Sequence, residues 1–293
     1  MAQALDLAFK SMTPVMASRC KGVGISAPMH IRPDGIVRLA PRIGWRDLAL
    51  TRIIEASIPE HIPVMIENDA NAFAIGDGYK HSQSGVTLFL LIETGVGGGI
   101  LIDGKLFRGG HGMAGEIGHI LVPGTGGVSL EQAAGREALI SRYRAETGRR
   151  DAELPDFLEA VRDREPAAVA IAEDWARNLA FTLSQACRLI DPGRIVLGGS
   201  VAALYPLVAA RVAVHMSSRQ EVSFPSTQQA VTFPAPQIVV DGDAEFGSAF
   251  GAACMLHQRF LSFANDDLFG DGPAPGRIIP LHEPGPQTPE SVI

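Results

Sequence analysis

Three short stretches of this chain bring together side chains and backbone able to do chemistry. In IENDANAFA (Ile66 to Ala74) an apolar run ends in Glu67-Asn68-Asp69, just where a helical pattern begins. A carboxylate at a helix N-terminus has its ionised form favoured by the macrodipole and by free N–H groups. Asp69 is therefore expected to be charged at neutral pH and able to take a proton from a hydroxyl. Asn68 and Asp69 are equally the residue types of a plain helix cap. In ETGVGGGILIDGKLFRGGHGMAGEIGH (Glu93 to His119), Gly95, Gly97, Gly98 and Gly99 leave no side chains between backbone amides and an incoming anion, as a phosphate cradle requires. The same run would suit a tight turn between strands. It ends in Gly115-Glu116-Ile117-Gly118-His119, whose spacing puts Glu116 and His119 on one side of a turn if the segment is helical. In DPGRIVLGGSV (Asp191 to Val201) a strand delivers Gly198, Gly199 and Ser200 to a helix start. Backbone donors are then exposed at the carboxyl edge of a sheet, where ligands bind in open α/β folds. An ordinary glycine-permitted turn would have the same sequence.

The elements that must position these groups can be read from periodicity. Leu5, Phe9, Met12 and Met16 predict a helix over Ala2 to Ser18, followed by a strand at Lys21 to Ser26. Ala27 to Gly44 is rich in Pro and Gly and reads as irregular, and Arg46 to Ser57 as a helix ended by Pro59. Ile62 to Glu67 is a short buried strand and Asn68 to Lys80 the helix after it. This αβαβα rhythm implies a sheet covered by helices. Val86 to Glu93 and Gly98 to Asp103, with the turn Asp103-Gly104, predict a strand pair that opens a second lobe. Helices then run from Leu130 to about Arg188 with breaks near Arg150 and Pro166. A strand at Arg194 to Gly199, a helix at Val201 to Ser218, a strand at Pro236 to Asp241 and a helix at Phe246 to Phe260 close the fold. The expected division is a first lobe of residues 1–84 plus 246–262, a second lobe of 85–245, and a loosely ordered tail over 263–293.

Composition removes several classes of function. Hydrophobic residues make up 46% of the 293 and charged residues 19%, as in a chain with a large interior rather than a disordered one. The net charge of −7 offers no overall positive field for a nucleic acid backbone. Cys20, Cys187 and Cys254 lie far apart and form neither a disulfide framework nor a zinc cluster. The first residues carry no basic-then-apolar signal and no long uninterrupted apolar window follows, so a cytoplasmic protein without a membrane segment is expected.

Taken together, these stretches resemble the ROK family of sugar kinases and sugar-responsive repressors, over about Lys21 to Leu256. The resemblance implies an α/β, two-lobed actin-like ATPase (ribonuclease H-like) fold. It implies that Asp69 is the general base of a kinase, that Asn68, Glu116 and His119 contact the sugar, and that Gly95, Gly97, Gly98 and Gly99 with Gly198 and Gly199 serve the nucleotide. GVGISAPMHIRPDGIVRLAPRIGW (Gly22 to Trp45) fits the family's strand and substrate loop, with Met29 where a glycine is usual. Many members carry a CxCGxxGC zinc loop after the histidine, but Pro123 to Gln132 has no cysteine, so zinc is not expected. Counting back from Ala138-Leu139 puts Glu131 on the family's sugar-binding glutamate, whereas a gapless count from Gly127 puts Leu130 there. Glu131 is chosen because a carboxylate accepts hydroxyl hydrogen bonds and a leucine does not.

Two departures bear on function. Nothing before Gly22 matches the Asp-x-Gly-Gly-Thr hairpin of the kinases, so the leading strands of the first lobe are expected to be missing. Glu93 stands where the Gly-Thr-Gly loop has its first glycine, and its charge would repel ATP. No winged helix precedes Lys21 either, so DNA binding by this chain alone is not expected. The expectation is a sugar-sensing protein, the effector-binding part of a transcriptional regulator without its winged-helix head. The alternative is a hexose or N-acetylhexosamine kinase using ATP and Mg. A small-molecule sugar is the expected partner, with homo-oligomers as in other members.

Overall fold

The computed structural model describes residues 2–32, 34–58, 62–81, 84–124, 126–217, 221–224, 229–232, 234–242 and 244–261. The tail expected to be loosely ordered lies outside them. The chain opens with α1 (Ala2–Ser11) and α2 (Pro14–Arg19) rather than one helix. Pro14 has no N–H to continue the first helix but suits the first turn of the second, where the Thr13 hydroxyl accepts from the Met16 amide at 3.2 Å.

Strand β1 (Val23–Ala27) pairs in parallel with β5 (Val64–Asn68), which brings Ala27 beside Asn68 at one sheet edge. Between them the stretch expected to be irregular holds β2 (His30–Ile31) and β3 (Val37–Ala40). The start of the expected helix is β4 (Trp45–Leu48), leaving only α3 (Leu50–Glu55) helical. Strands β2, β3 and β4 form an antiparallel sheet whose Val37 and Ala40 are fully buried. A core of Val37, Leu50, Ile54 and Val64 joins these elements, with Leu5 and Phe9 of α1 packed against it.

Helix α4 (Asp69–Lys80) follows β5 directly and leads to β6 (Val86–Ile92), β7 (Val96–Ile102) and β8 (Lys105–Leu106). Helices α5 (Leu130–Ala134), α6 (Arg136–Thr147), α7 (Leu154–Arg162) and α8 (Pro166–Ile190) come next, then β9 (Arg194–Gly198), α9 (Tyr205–Ser217), the hairpin β10 (Glu221–Phe224) and β11 (Gln229–Thr232), β12 (Gln237–Val240) and α10 (Ala244–Leu261). The second sheet has the order β12-β9-β6-β7-β8, parallel from β12 to β6 and antiparallel beyond. Ile171, Trp175, Leu179 and Leu183 of α8 recur at helical spacing and are buried in the large core on this sheet, where the Trp175 indole donates to the Ala134 carbonyl at 3.1 Å. Ser200–Ser217 is apolar and long enough for a membrane span by composition. Here it seats Val208, Val212 and Met216 in that core.

Small residues let α4 sit between the sheets and α10. A Cβ on Gly251 would lie 1.6 Å from the Ala72 carbonyl oxygen, and one on Gly24 would lie 2.2 Å from that of Ala252, so helix and strand meet through bare backbone.

Candidate functional site

A cleft of about 550 Å³ opens where the carboxyl ends of β1 and β5 meet the β6–β7 turn. Of the residues singled out by sequence, Asn68, Asp69, Glu116, His119, Glu131, Gly95, Gly97 and Gly98 line it, and His30, Arg42, Glu93 and Thr94 join them. Gly99, Gly198 and Gly199 do not.

Asn68 is both cap and cleft residue. Its Oδ1 accepts from the amides of Ala70 and Asn71 at 3.0 and 3.1 Å, while its Nδ2 donates to the Met29 carbonyl at 3.2 Å. Both lone pairs of the amide oxygen and one N–H are thereby committed, which leaves a single N–H to offer a ligand. Its backbone is held by Glu67, buried beneath the site, whose Oε1 accepts from the Asn68 amide at 2.8 Å and from Asn71 Nδ2 at 3.2 Å. Arg108 donates to the other oxygen of Glu67 at 2.5 Å.

Asp69 begins α4, and its Oδ1 accepts from the Ala70 amide at 2.9 Å. The helix-terminus argument predicts a lowered pKa, but the structure shifts it the other way. Burial pushes this carboxyl above the ordinary carboxylate range, outweighing the backbone amides and the attraction of Arg42, and Glu116 adds to the rise. A carboxyl so tuned accepts a proton more readily than a solvated one.

Glu116 precedes a single 3-10 turn at Ile117–His119. This is the turn that the three-residue spacing implied, and it brings His119 Nε2 to 3.6 Å from Glu116 Oε2. The other oxygen of Glu116 lies 3.1 Å from His30 Nδ1. That hydrogen bond holds His30 above the ordinary histidine pKa against the lowering effect of its burial. Glycine is required where this loop crosses β7: a Cβ on Gly118 would lie 1.9 Å from the Val96 carbonyl oxygen, and one on Gly98 would lie 2.3 Å from that of Gly115.

Glu131 stands in the first turn of α5, behind the Ser129–Gln132 capping box. Its Oε2 accepts from the Val96 amide at 3.1 Å, and its Oε1 lies 3.9 Å from Arg42. Leu130, the other candidate of the two counts, is fully buried in the core.

The glycine run is mostly strand rather than loop. Gly97, Gly98 and Gly99 pair with Leu91, Leu90 and Phe89, and Cβ atoms on Gly97 and Gly99 would crowd Ala70 and Ala74 of α4. At the end of β9, a Cβ on Gly198 would meet the Phe73 ring, and Gly199 adopts φ +87° against the Ile92 carbonyl. The donors expected here for a nucleotide have a partner within the chain. The Ser200 amide and hydroxyl donate to the two oxygens of Glu93 at 2.5 and 2.7 Å. Sequence reading flagged Glu93 for its charge but missed this contact, since Ser200 lies 107 residues away. It also missed His30 and Arg42, which sit in a stretch with no periodicity.

The sequence model of the ROK family matches residues 1–259. The glucokinase of Halalkalibacterium halodurans is 34% identical over 205 residues, 61% of either chain. The xylose repressor of Caldicellulosiruptor bescii is 38% identical over 122 residues, 40% of this chain and 30% of the repressor. The chain thus spans less than two thirds of the length of these relatives. A crystal structure of a ROK family glucokinase from Streptomyces griseus, in complex with glucose and AMPPNP, superposes with a TM-score of 0.71 at 27% identity, covering 88% of this chain and 87% of that one. The fold is that of the actin-like ATPases.

Proposed function

Because the chain belongs to the ROK family, we propose that the cleft binds a small-molecule sugar and that the protein is the cytoplasmic effector-binding part of a transcriptional regulator. Asn68, Glu116, His119 and Glu131 are the residues for the sugar. They combine an N–H donor, two carboxylates and an imidazole in one cleft, a mixture suited to a polyol whose hydroxyls both donate and accept. The likeness to glucokinases and xylose repressors supports a sugar as ligand without choosing between the two roles.

The observation that favours sensing over phosphoryl transfer is the Glu93 carboxylate on Ser200. Phosphoryl transfer depends on neutralising the nucleotide's charge, and Glu93 both takes the donors of the β9 turn and adds a negative charge beside the glycine turn. A second reading, an ATP- and Mg-dependent hexose or N-acetylhexosamine kinase, is favoured by Asp69. In that reaction the sugar oxygen would attack the γ-phosphorus, its proton would pass to the Asp69 carboxylate, and ADP would leave.

Two measurements test the reading. With Mg-ATP and a panel of hexoses and amino sugars, the chain should release no sugar-dependent ADP; turnover above about 1 per second, ordinary for a kinase, would replace the regulator reading with the kinase one. A cognate sugar should raise Tm, as a ligand preferring the folded state must. Asn68→Ala and His119→Ala should each abolish that rise, and an unchanged shift in both would remove the site assignment.

A further inference from the structure

We propose that His30 is a positioning residue of the cleft: its imidazole holds the Glu116 carboxylate in the orientation that meets a sugar hydroxyl, and its proton makes the affinity for that sugar depend on pH. This rests on the reading that the cleft binds a sugar. It concerns a residue to which the family resemblance gives no part in the ligand site.

His30 is placed by its backbone. It pairs with Leu39 of β3, and the residue before it, Met29, is buried with Val37 and Val64 and gives its carbonyl to Asn68 Nδ2 at 3.2 Å. The imidazole, 27% exposed, is thereby presented from β2 to the 3-10 turn on β7, where its Nδ1 lies 3.1 Å from Glu116 Oε1. Glu116 needs such a partner. Its side chain has three rotatable bonds and stands just ahead of a single turn, so ordering it at the moment of binding would subtract from a ligand's affinity. Among the described residues, His30 is the one hydrogen-bond partner of this carboxylate, since His119 Nε2 is 3.6 Å from the other oxygen. Fixing Oε1 leaves Oε2 to accept from a hydroxyl.

The contact titrates. Protonated His30 donates to a full opposite charge, and this bond holds its pKa above the ordinary histidine value although burial works the other way. The other charges around it are accounted for. Arg32, just past β2, pairs with Asp34; Arg38 of β3 is exposed; Glu67 of β5 is bound by Arg108. The cleft walls add Arg42, Asp69, Glu93, His119 and Glu131, but Glu116 is the charge that shifts His30. As pH rises through the His30 pKa, the charge-assisted bond is lost, the held orientation is less favoured and sugar affinity falls.

The test has one readout without sugar and one with it, both on the full chain. Without sugar, the His30 titration is followed by NMR of histidine-labelled protein, assigned through His30→Asn. Its midpoint should drop in Glu116→Gln, and an unchanged midpoint would overturn the pair. With sugar, the hexose or amino sugar that raises Tm most is titrated by calorimetry across the histidine range, from about pH 5.5 to about pH 9. Affinity of the parent should fall several-fold through the His30 midpoint. At the acid end His30→Ala should bind about tenfold more weakly, the scale of one hydrogen bond to a charged group. His30→Asn keeps an N–H for Glu116 but does not titrate, so it should recover most of the affinity and lose the His30 part of the pH dependence, leaving that of His119. The Tm of each variant without sugar establishes that it is folded. A His30→Ala chain that binds as the parent does, or a His30→Asn chain with the parent's whole pH profile, would overturn the positioning role alone. No sugar-induced Tm rise in the parent at any pH would overturn the sugar reading and this role with it, while the NMR titration still reports the pair.

Discussion

Asp69 sits where two physical tendencies oppose. The start of α4 offers it an amide and a favourable dipole, while the cleft wall removes it from water, and the second effect is the larger. Its sign fixes the pH dependence. A carboxyl whose folded pKa lies above its unfolded value binds more protons when folded, so stability falls as pH rises through the interval above the ordinary carboxylate pKa, and the full penalty remains at neutral pH. Asp69→Asn keeps an oxygen for the Ala70 amide and removes the charge. It should raise Tm at pH 7, by an amount that shrinks as pH is lowered towards 4; a Tm lowered at pH 7 would show that burial does not dominate at this residue. Asn68 has the opposite character, because its side chain is committed to structure. Asn68→Ala should cost about 1 kcal/mol in urea denaturation through loss of the cap, whatever ligand the cleft takes. A cost near zero would mean that the Asn68 side chain does not hold the start of α4. These two residues also show what single positions reveal in a sequence. Their types and place named both the cap and the cleft, but burial, which decides the titration of Asp69, comes from neighbours that no local pattern contains.

The elements that carry the site are held by backbone contacts rather than by side-chain size. The 3-10 turn bearing Glu116 and His119 lies on β7 because Gly118 has no Cβ to meet Val96. Gly118→Ala should therefore cost about 1–3 kcal/mol, as overpacking does, and should abolish any sugar-dependent Tm shift by displacing His119. Gly110→Ala, where an added Cβ meets nothing within 4 Å, is the control and should change neither. Equal behaviour of the two variants would mean that the turn can move off β7 without cost. The same contacts explain which elements were legible. Helix α4, strands β6, β7 and β9 and the long helix α8 follow their hydrophobic periods, and the turn at Asp103-Gly104 follows its residue types. Strands β2 and β3 did not stand out, since Pro28, Pro41 and Gly35 punctuate a stretch whose ladder partners are supplied only by the folded sheet. Most of β4 falls in the stretch Arg46 to Ser57 expected to be helical, because the strand β3 it pairs with lies outside that stretch. The glycine run suggested a loop when its actual demand is close packing of β7 on α4.

At the scale of the molecule, two larger hydrophobic cores among the described residues are accompanied by two smaller ones around α4, and charge pairs tie α4 and β5 to residues at and just beyond the strands of the second sheet. One core lies on β1 and β5 with the β2–β4 sheet, and the larger lies on the face of β6 and β9 that meets α8. Buried Asp77 of α4 holds Arg194 at the start of β9 through two bonds of 2.7 and 3.2 Å, and Glu67 of β5 holds Arg108 beyond β8. Removing one partner of such a pair leaves an uncompensated buried charge and costs about 3–5 kcal/mol, whereas neutralising both is far milder. Each of the two larger cores contains one of the chain's two tryptophans: Trp45 packs against the first, and Trp175 is buried in the second. Trp45→Phe and Trp175→Phe chains therefore report the two cores separately by fluorescence. On an otherwise unaltered background their urea transitions should coincide, as expected for one cooperative unit. Arg194→Met should weaken the connection, so that the smaller core, seen through Trp45, melts at lower urea than the larger one. Adding Asp77→Asn to Arg194→Met should return much of the lost stability. If the two signals stay coincident in Arg194→Met and the double variant is no more stable than the single, the pair is not what couples the cores, and their cooperativity rests on the glycine contacts of α4 and α10 instead.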